Sequence, residues 1–149
     1  AYAVKSKYIK AHMRTAENYA GLSTARRLKV GAIIVKDDRI ISIGYNGMPS
    51  GWDNNCEDEV YDETGTFLNQ LKTKPEVLHA ERNALDKLAR CNESGLGSTM
   101  FITHAPCLEC AKSIYSVGVS QVFYGKIYRS DEGINFLKKC GIDTEQIMD

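Results

Sequence analysis

Thr99-Met100-Phe101-Ile102-Thr103-His104-Ala105-Pro106-Cys107-Leu108-Glu109-Cys110 passes from a short β-branched and aromatic run, through a proline, to two cysteines three positions apart. Thr99–Thr103 reads as a strand and Cys107–Ser116 as a helix. Pro106 suits the first helical turn, because its missing N–H would be an orphan there and its φ is already helical. A strand that runs directly into a helix is the repeating unit of an α/β fold. Downstream the unit recurs, with a strand at Gln121–Tyr124, a helix at Glu132–Lys139 and a stop at Gly141 before a last short strand near Ile142. Upstream, His79–Arg90 is helical with Ala80, Ala84, Leu85 and Leu88 facing inward, and Gly95 and Gly97 end that unit. Such alternation with short links predicts a largely parallel sheet covered on both faces.

The first half of the chain is built differently. Val4, Tyr8, Ile9, Met13, Ala16 and Ala20 line one helix face, Gly21 ends that helix, and the helix is expected to pack on the sheet. Val30–Val35, the turn Asp37-Asp38 and Ile40–Tyr45 form an antiparallel hairpin. From Gly47 to about Pro75 the pattern turns irregular, with Pro49, Gly51, Asn54, Asn55, Gly65 and acids from Glu57 to Glu63. A loop of that length inside a domain is usually functional.

The 149 residues suffice for one domain, residues 1–149, with one core. Nineteen basic residues balance nineteen acidic ones, which leaves no overall footprint for polyanion binding and points to a small partner rather than nucleic acid. No apolar run approaches the roughly 20 residues a membrane span needs, and no signal-peptide layout is evident, so the expected setting is the cytoplasm. Cys56, Cys91 and Cys140 are scattered and read as reduced thiols.

The chemistry-bearing residues gather where helices begin. Cys107 and Cys110 share one helix face, and the unpaired N–H groups and positive dipole end there favour the thiolates a metal requires. His79 opens the preceding helix, so two helix starts at one sheet edge can meet over a single ion, where α/β sheets place their ligands. A structural zinc takes four protein ligands, whereas a catalytic zinc takes three and keeps one position open. Glu81 lies two residues past His79, roughly 200° around the helix, so it does not chelate beside the imidazole. Zinc brings a water pKa towards about 7, and Glu81 is placed to move the protons as general acid and base. Singly, each element has a bland account, since C-x-x-C is as often redox or structural. A redox dithiol leaves His79 and Glu81 unexplained, and a closed structural zinc needs a fourth ligand. His104 is the nearby candidate, and it is expected to line the pocket mouth instead.

H-x-E followed by P-C-x-x-C is the signature of zinc-dependent cytosine and adenine deaminases. Three segments make the resemblance more specific: Gly44-Tyr45-Asn46-Gly47-Met48-Pro49, His79-Ala80-Glu81-Arg82-Asn83-Ala84, and Pro106-Cys107-Leu108-Glu109-Cys110-Ala111-Lys112. With the loop of some thirty residues before His79, they resemble the deoxycytidylate (dCMP) deaminases, viral members included, over about Val30 to Gly141. The resemblance implies a three-layer α/β/α sandwich around a five-stranded mixed sheet, the cytidine deaminase-like fold. It implies hydrolysis of dCMP to dUMP and ammonia, with zinc on His79, Cys107 and Cys110 and Glu81 as proton shuttle. Asn46 matches the position that contacts the sugar, where an amide can both donate to and accept from a 3′-hydroxyl, and Ala80 lies beside the substrate. Arg26 and Lys29 before the hairpin, and Tyr128 and Arg129 after the fourth strand, are the expected phosphate contacts.

Many members of that family are hexamers activated by dCTP and inhibited by dTTP, with the triphosphate and Mg²⁺ bound near the segment that here reads Gly44, Tyr45, Asn46 and Gly47. Similar regulation is implied. Asp53, Glu57, Asp58 and Glu59 could order a hydrated magnesium ion or form a solvated acidic loop. Some viral relatives hold a second, structural zinc in the insertion, where this chain has only Cys56 and no histidine. Ile114, Tyr115 and Val117 are the expected subunit contacts. Viral membership would make the setting a host cytoplasm. Two other classes compete. An editing enzyme acting on tRNA or single-stranded nucleic acid would need a basic face and stacking aromatics; Tyr124, Tyr128 and Arg129 could serve, but the charge balance disfavours it. A zinc-stabilised binding module without turnover would give Glu81 no purpose.

Overall fold

In chain order the elements are α1 (Ser6–Ala20), β1 (Gly31–Lys36), β2 (Arg39–Tyr45), β3 (Glu57–Tyr61), β4 (Phe67–Thr73), α2 (Ala80–Asp86), β5 (Thr99–His104), α3 (Leu108–Val117), β6 (Gln121–Lys126), α4 (Glu132–Lys139) and β7 (Asp143–Gln146). This is a computed structural model, and it describes residues 4–148. A 3₁₀ turn, Lys87–Arg90, continues α2.

Side-chain alternation along the strands sets the layers. Ala32 and Ile34 of β1, Met100 and Ile102 of β5, and Val122 and Tyr124 of β6 face one way and pack on α2, α3 and α4 through Ala84, Leu85, Ala111, Ile114, Ile134 and Leu137. The alternate residues Ile33, Val35, Phe101 and Phe123 face the other way and meet Met13 and Ala16 of α1. The result is the expected three-layer sandwich around a five-stranded mixed sheet, in the order β2-β1-β5-β6-β7.

The sheet is less parallel than the strand–helix alternation predicts. β5/β6 and β6/β7 are parallel, whereas β1/β2 and β1/β5 are antiparallel. In the second half of the chain α3 and α4 each carry the connection between neighbouring parallel strands, whereas the β1–β2 hairpin has no helix between its strands. Its tight turn puts Asp37 and Asp38 at φ 51° and 61°, the pair of positive angles a type I′ hairpin turn requires.

The segment expected to be irregular contains a second hairpin. β3 and β4 pair antiparallel as a separate two-stranded sheet, with Glu57 opposite Thr73, Asp58 opposite Lys72 and Tyr61 opposite Phe67. The Asp62 carboxylate accepts from the N–H groups of Thr64 and Thr66 and shapes the turn. Acidic residues are poor strand formers, and nearly every residue of this hairpin faces solvent. It therefore lacks the alternation by which strands are recognised.

Two further expectations are corrected. Pro106, expected in the first helical turn, lies before the helix: Cys107 is the N-cap of α3, its Sγ accepting from the Cys110 N–H, and the helix itself starts at Leu108. Ile114, expected at a subunit contact, is fully buried in this chain's own core, and Val117 packs partly against it. Tyr115 is half-exposed and meets the Phe136 ring edge-on.

Candidate active site

The ends of β1 and β5 bring the functional residues to one sheet edge. Because β1 runs antiparallel to β5, the start of β1 lies beside the end of β5, and Gly31 N–H donates to Thr103 Oγ1 at 3.1 Å. β2 ends at the same edge, with Tyr45 opposite Gly31. Gly44 has a steric reason to be glycine: a Cβ there would stand 2.3 Å from the Ala80 carbonyl oxygen and 2.6 Å from Ala84 N. Its absence lets α2 lie directly on β2. The Asn83 amide then donates to the Tyr45 carbonyl, and Gly47 and Leu78 exchange two backbone hydrogen bonds. These contacts fix the chain immediately before His79.

His79 is the N-cap of α2, as Cys107 is of α3. His79 Nδ1 stands 3.3 Å from Cys110 Sγ and 3.8 Å from Cys107 Sγ, and the three donor atoms all lie within 4.8 Å of one another. Tetrahedral zinc with ordinary Zn–S and Zn–N bonds separates neighbouring ligand atoms by roughly 3.6 Å, so the donor set fits that ion by type and spacing. Three ligands leave one coordination position free. Among the described residues no other group of histidines, cysteines and acids is disposed in this way. His104 stays outside the cluster, lining the cavity with its Nδ1 3.0 Å from Thr103 Oγ1.

Electrostatics differentiate the two thiols. Cys107 is pulled down to about 4, first by its hydrogen bond with Cys110 and next by that with His79. Cys110, keeping the shared proton and more deeply buried, is pushed up. His79 is raised, chiefly by its hydrogen bond with Cys107. One thiolate is thus available from the outset, and metal binding displaces the remaining proton.

Glu81, in the first turn of α2, is buried with 5% of its surface exposed. Burial raises its pKa above the ordinary carboxylate range, because the charged form loses hydration. That is the shift a proton shuttle working near neutral pH needs.

His79, Glu81, His104 and Cys107 open onto a cavity of about 300 Å³. Its floor is His79, Ala80, Glu81 and Cys107, at the ends of β5 and the starts of α2 and α3. Tyr128, Arg129 and Ser130 also line it, and a further wall is formed by Arg27, Leu28, Asn46, Glu57 and Thr73. Asn46 accepts from the Val30 N–H and donates to the Leu28 carbonyl, each at 2.8 Å. One lone pair and one N–H of its amide remain for a ligand.

The structure gathers Asn46, Ala80 and Tyr128 with the metal ligands and Glu81, but Arg26 and Lys29 do not line the cavity. The Arg26 guanidinium instead donates to Asn55 Oδ1 and the Glu57 carbonyl. The wall residues Arg27, Glu57 and Thr73 were missed from sequence. Arg27 adjoins Arg26, the expected phosphate contact, with nothing in the pattern to separate them, and Glu57 sits in an acid run that reads as solvated. Glu57 is in fact buried. Cys56 is also buried, against Thr24 Oγ1 and the Asn54 carbonyl.

The family model described as the cytidine and deoxycytidylate deaminase zinc-binding region matches residues 6–126. The chain is 41% identical over 108 residues to human deoxycytidylate deaminase, covering 70% of this chain and 57% of that one. It is 33% identical over 151 residues to the deoxycytidylate deaminase of Enterobacteria phage T4, covering 78% and 77%. Other curated relatives are longer, so that the chain spans 43–63% of their length. Among solved structures, the dCMP deaminase of cyanophage S-TIM5 in complex with dCMP and dUMP superposes with a TM-score of 0.85 at 42% identity, over 97% of this chain and 100% of that one. With its ligand set, buried glutamate and sheet order in place, this chain belongs to the cytidine and deoxycytidylate deaminase family.

Proposed function

We propose that residues 1–149 form one deaminase domain that hydrolyses dCMP to dUMP and ammonia. The observation that carries this is the convergence of His79, Cys107 and Cys110, with His79 Nδ1 3.3 and 3.8 Å from the two sulfurs, beside the buried Glu81 in one nucleoside-sized cavity. The cyanophage relative solved with dCMP and dUMP supports the choice of substrate. Zinc on the three ligands would supply Lewis acidity that makes water a nucleophile near neutral pH. Glu81 accepts the proton of the attacking water and passes it to N3 of cytosine, so that oxygen adds at C4. The remaining proton of the added C4 hydroxyl, again through Glu81, goes to the C4 amine, and as the C4 carbonyl forms the C–N bond breaks to release ammonia. Asn46 faces the sugar, and Tyr128 and Ala80 flank the ring.

The phosphate falls to cations on the cavity wall, where Arg27 and Arg129 stand and Arg26 and Lys29 do not. Alanine at Arg26 therefore leaves the preference for nucleotide over nucleoside intact, measured as the ratio of kcat/KM for dCMP and deoxycytidine. Activation by dCTP with Mg²⁺, inhibition by dTTP and assembly into hexamers belong to the same proposal. Tyr45 and Gly47 are accessible enough to meet an effector, although the Gly44–Gly47 segment also has the packing duty described above. The setting is the cytoplasm, a host's if the chain is viral.

Incubating the zinc-loaded protein with dCMP, cytidine or a tRNA anticodon stem-loop, each with and without dCTP and Mg²⁺, tests this directly. Ammonia is expected from dCMP, with a sigmoidal dependence that dCTP makes hyperbolic. Ammonia from the stem-loop alone would replace the proposal with an editing activity, and sedimentation with and without dCTP reads the assembly state.

A further inference from the structure

Glu57 opens the β3–β4 hairpin and, unlike the rest of it, is buried, with 1% of its surface exposed. Its carboxylate accepts from the Arg26 N–H at 3.1 and 2.9 Å and from the Arg27 N–H at 3.0 Å, and it lies 3.5 Å from Arg26 Nε. A buried carboxylate is costly unless its lone pairs are filled and its charge is answered. Here one dipeptide does both. That dipeptide belongs to the connection between α1 and β1, which has no helix or strand of its own and whose fixed geometry must come from side chains. Asn46 secures Leu28 and Val30; Glu57 secures Arg26 and Arg27.

The two arginines are divided between tasks. Arg26 is committed to the hairpin through Asn55, the Glu57 carbonyl and ion pairs with Glu57 and Glu59. Arg27 lines the cavity, its Nη1 donating to Thr73 Oγ1 at 3.2 Å, and Thr73 is the cross-strand neighbour of Glu57. No carboxylate pairs with Arg27 among the described residues. The root of the hairpin thus neutralises one cation and presents the other.

We infer that Glu57 is a positioning residue for nucleotide selection: it clamps the Arg26–Arg27 backbone, with Thr73 steadying the guanidinium, so that Arg27 is the cation offered to the substrate's monophosphate. This role rests on the dCMP activity proposed above and adds to it the origin of the preference for nucleotide over nucleoside.

The test uses the full zinc-loaded chain and the variants Glu57→Gln, Thr73→Val, Arg27→Ala and Glu57→Gln/Arg27→Ala. It measures kcat and KM for dCMP and deoxycytidine, calorimetric binding of dUMP and deoxyuridine, zinc content and Tm. Glu57→Gln keeps the shape but sets an amide against backbone donors. It is expected to raise KM for dCMP and Kd for dUMP about tenfold, with kcat within about twofold and deoxycytidine unaffected. The double variant should be no worse than Arg27→Ala alone, since Glu57 acts through Arg27. Equal losses for nucleotide and nucleoside, additive losses in the double variant, or no loss at all would each overturn the assignment. Where Glu57→Gln does not fold, Thr73→Val carries the test, with a roughly threefold rise in KM expected for the nucleotide alone and an unchanged value overturning it. A wild-type protein that binds dUMP but does not deaminate dCMP defeats the proposed activity and leaves the binding comparison to decide Glu57. One that binds dUMP no better than deoxyuridine defeats the Glu57 role whatever its activity.

Discussion

The floor of the cavity and its outer wall are made from opposite kinds of structure. The floor stands on the sheet edge, backed by residues that are almost wholly buried, including Ala80, Ile102, Cys110 and Ala111. The outer wall is the root of an exposed two-stranded hairpin together with an irregular connection, held by Glu57, Asn46 and Thr73 through hydrogen bonds. Apolar burial supplies most of the stability of a fold, whereas hydrogen bonds each contribute little net energy but fix direction. The difference teaches that groups needing one rigid geometry for bond-making lie on the core side. Groups that choose among ligands lie on a part that can vary without disturbing the core.

The largest effect that would break this division is at the floor. Glu81→Gln should lower kcat by about 10³–10⁴-fold, with zinc content and Tm close to the parent; ammonia release at the parental rate would remove Glu81 from the chemistry. Next comes the core behind the floor. Phe101 is fully buried, stacked on Phe123 with ring centroids 5.0 Å apart, and Phe101→Ala should cost about 3–5 kcal/mol by denaturant unfolding. A smaller loss is expected where α2 lies on β2. Gly44→Ala forces a methyl against the Ala80 carbonyl and should cost about 1–3 kcal/mol, together with weaker zinc retention because His79 moves with α2. Undiminished stability there would mean that α2 can slide. The smallest effect sharpens the contrast: Leu68→Ser, on the exposed part of β4, should change stability by no more than about 0.5 kcal/mol. A large loss would show that the hairpin is part of the core after all.

Legibility from sequence follows the same division. Helices α1 to α4 are visible because each buries one face, which writes a period of 3.6 into the apolar residues, while β1, β5 and β6, buried on both faces, show as short β-branched and aromatic runs bounded by turn residues. The metal ligands and Glu81 are visible because their types and spacing are tied to chemistry. The β3–β4 hairpin is hidden because Glu57-Asp58-Glu59 carries no apolar alternation, and both its faces are mostly wet. Arg26 and Arg27 cannot be told apart for a related reason. Adjacent residues outside regular structure have no periodicity to say which side chain turns inward.

By itself the sequence determined the three layers and the His79, Cys107, Cys110 and Glu81 constellation, since burial patterns and ligand types are local properties of the chain. Only the tertiary structure decided that β1 runs antiparallel to β5, that Cys107 caps α3 rather than lying within it, and that Glu57 is buried. It also decided that Arg27, not Arg26, reaches the cavity. Those outcomes depend on which distant backbone donors and carbonyls meet, and hydrogen-bond partners dozens of residues apart leave no trace in the spacing of residues along the chain.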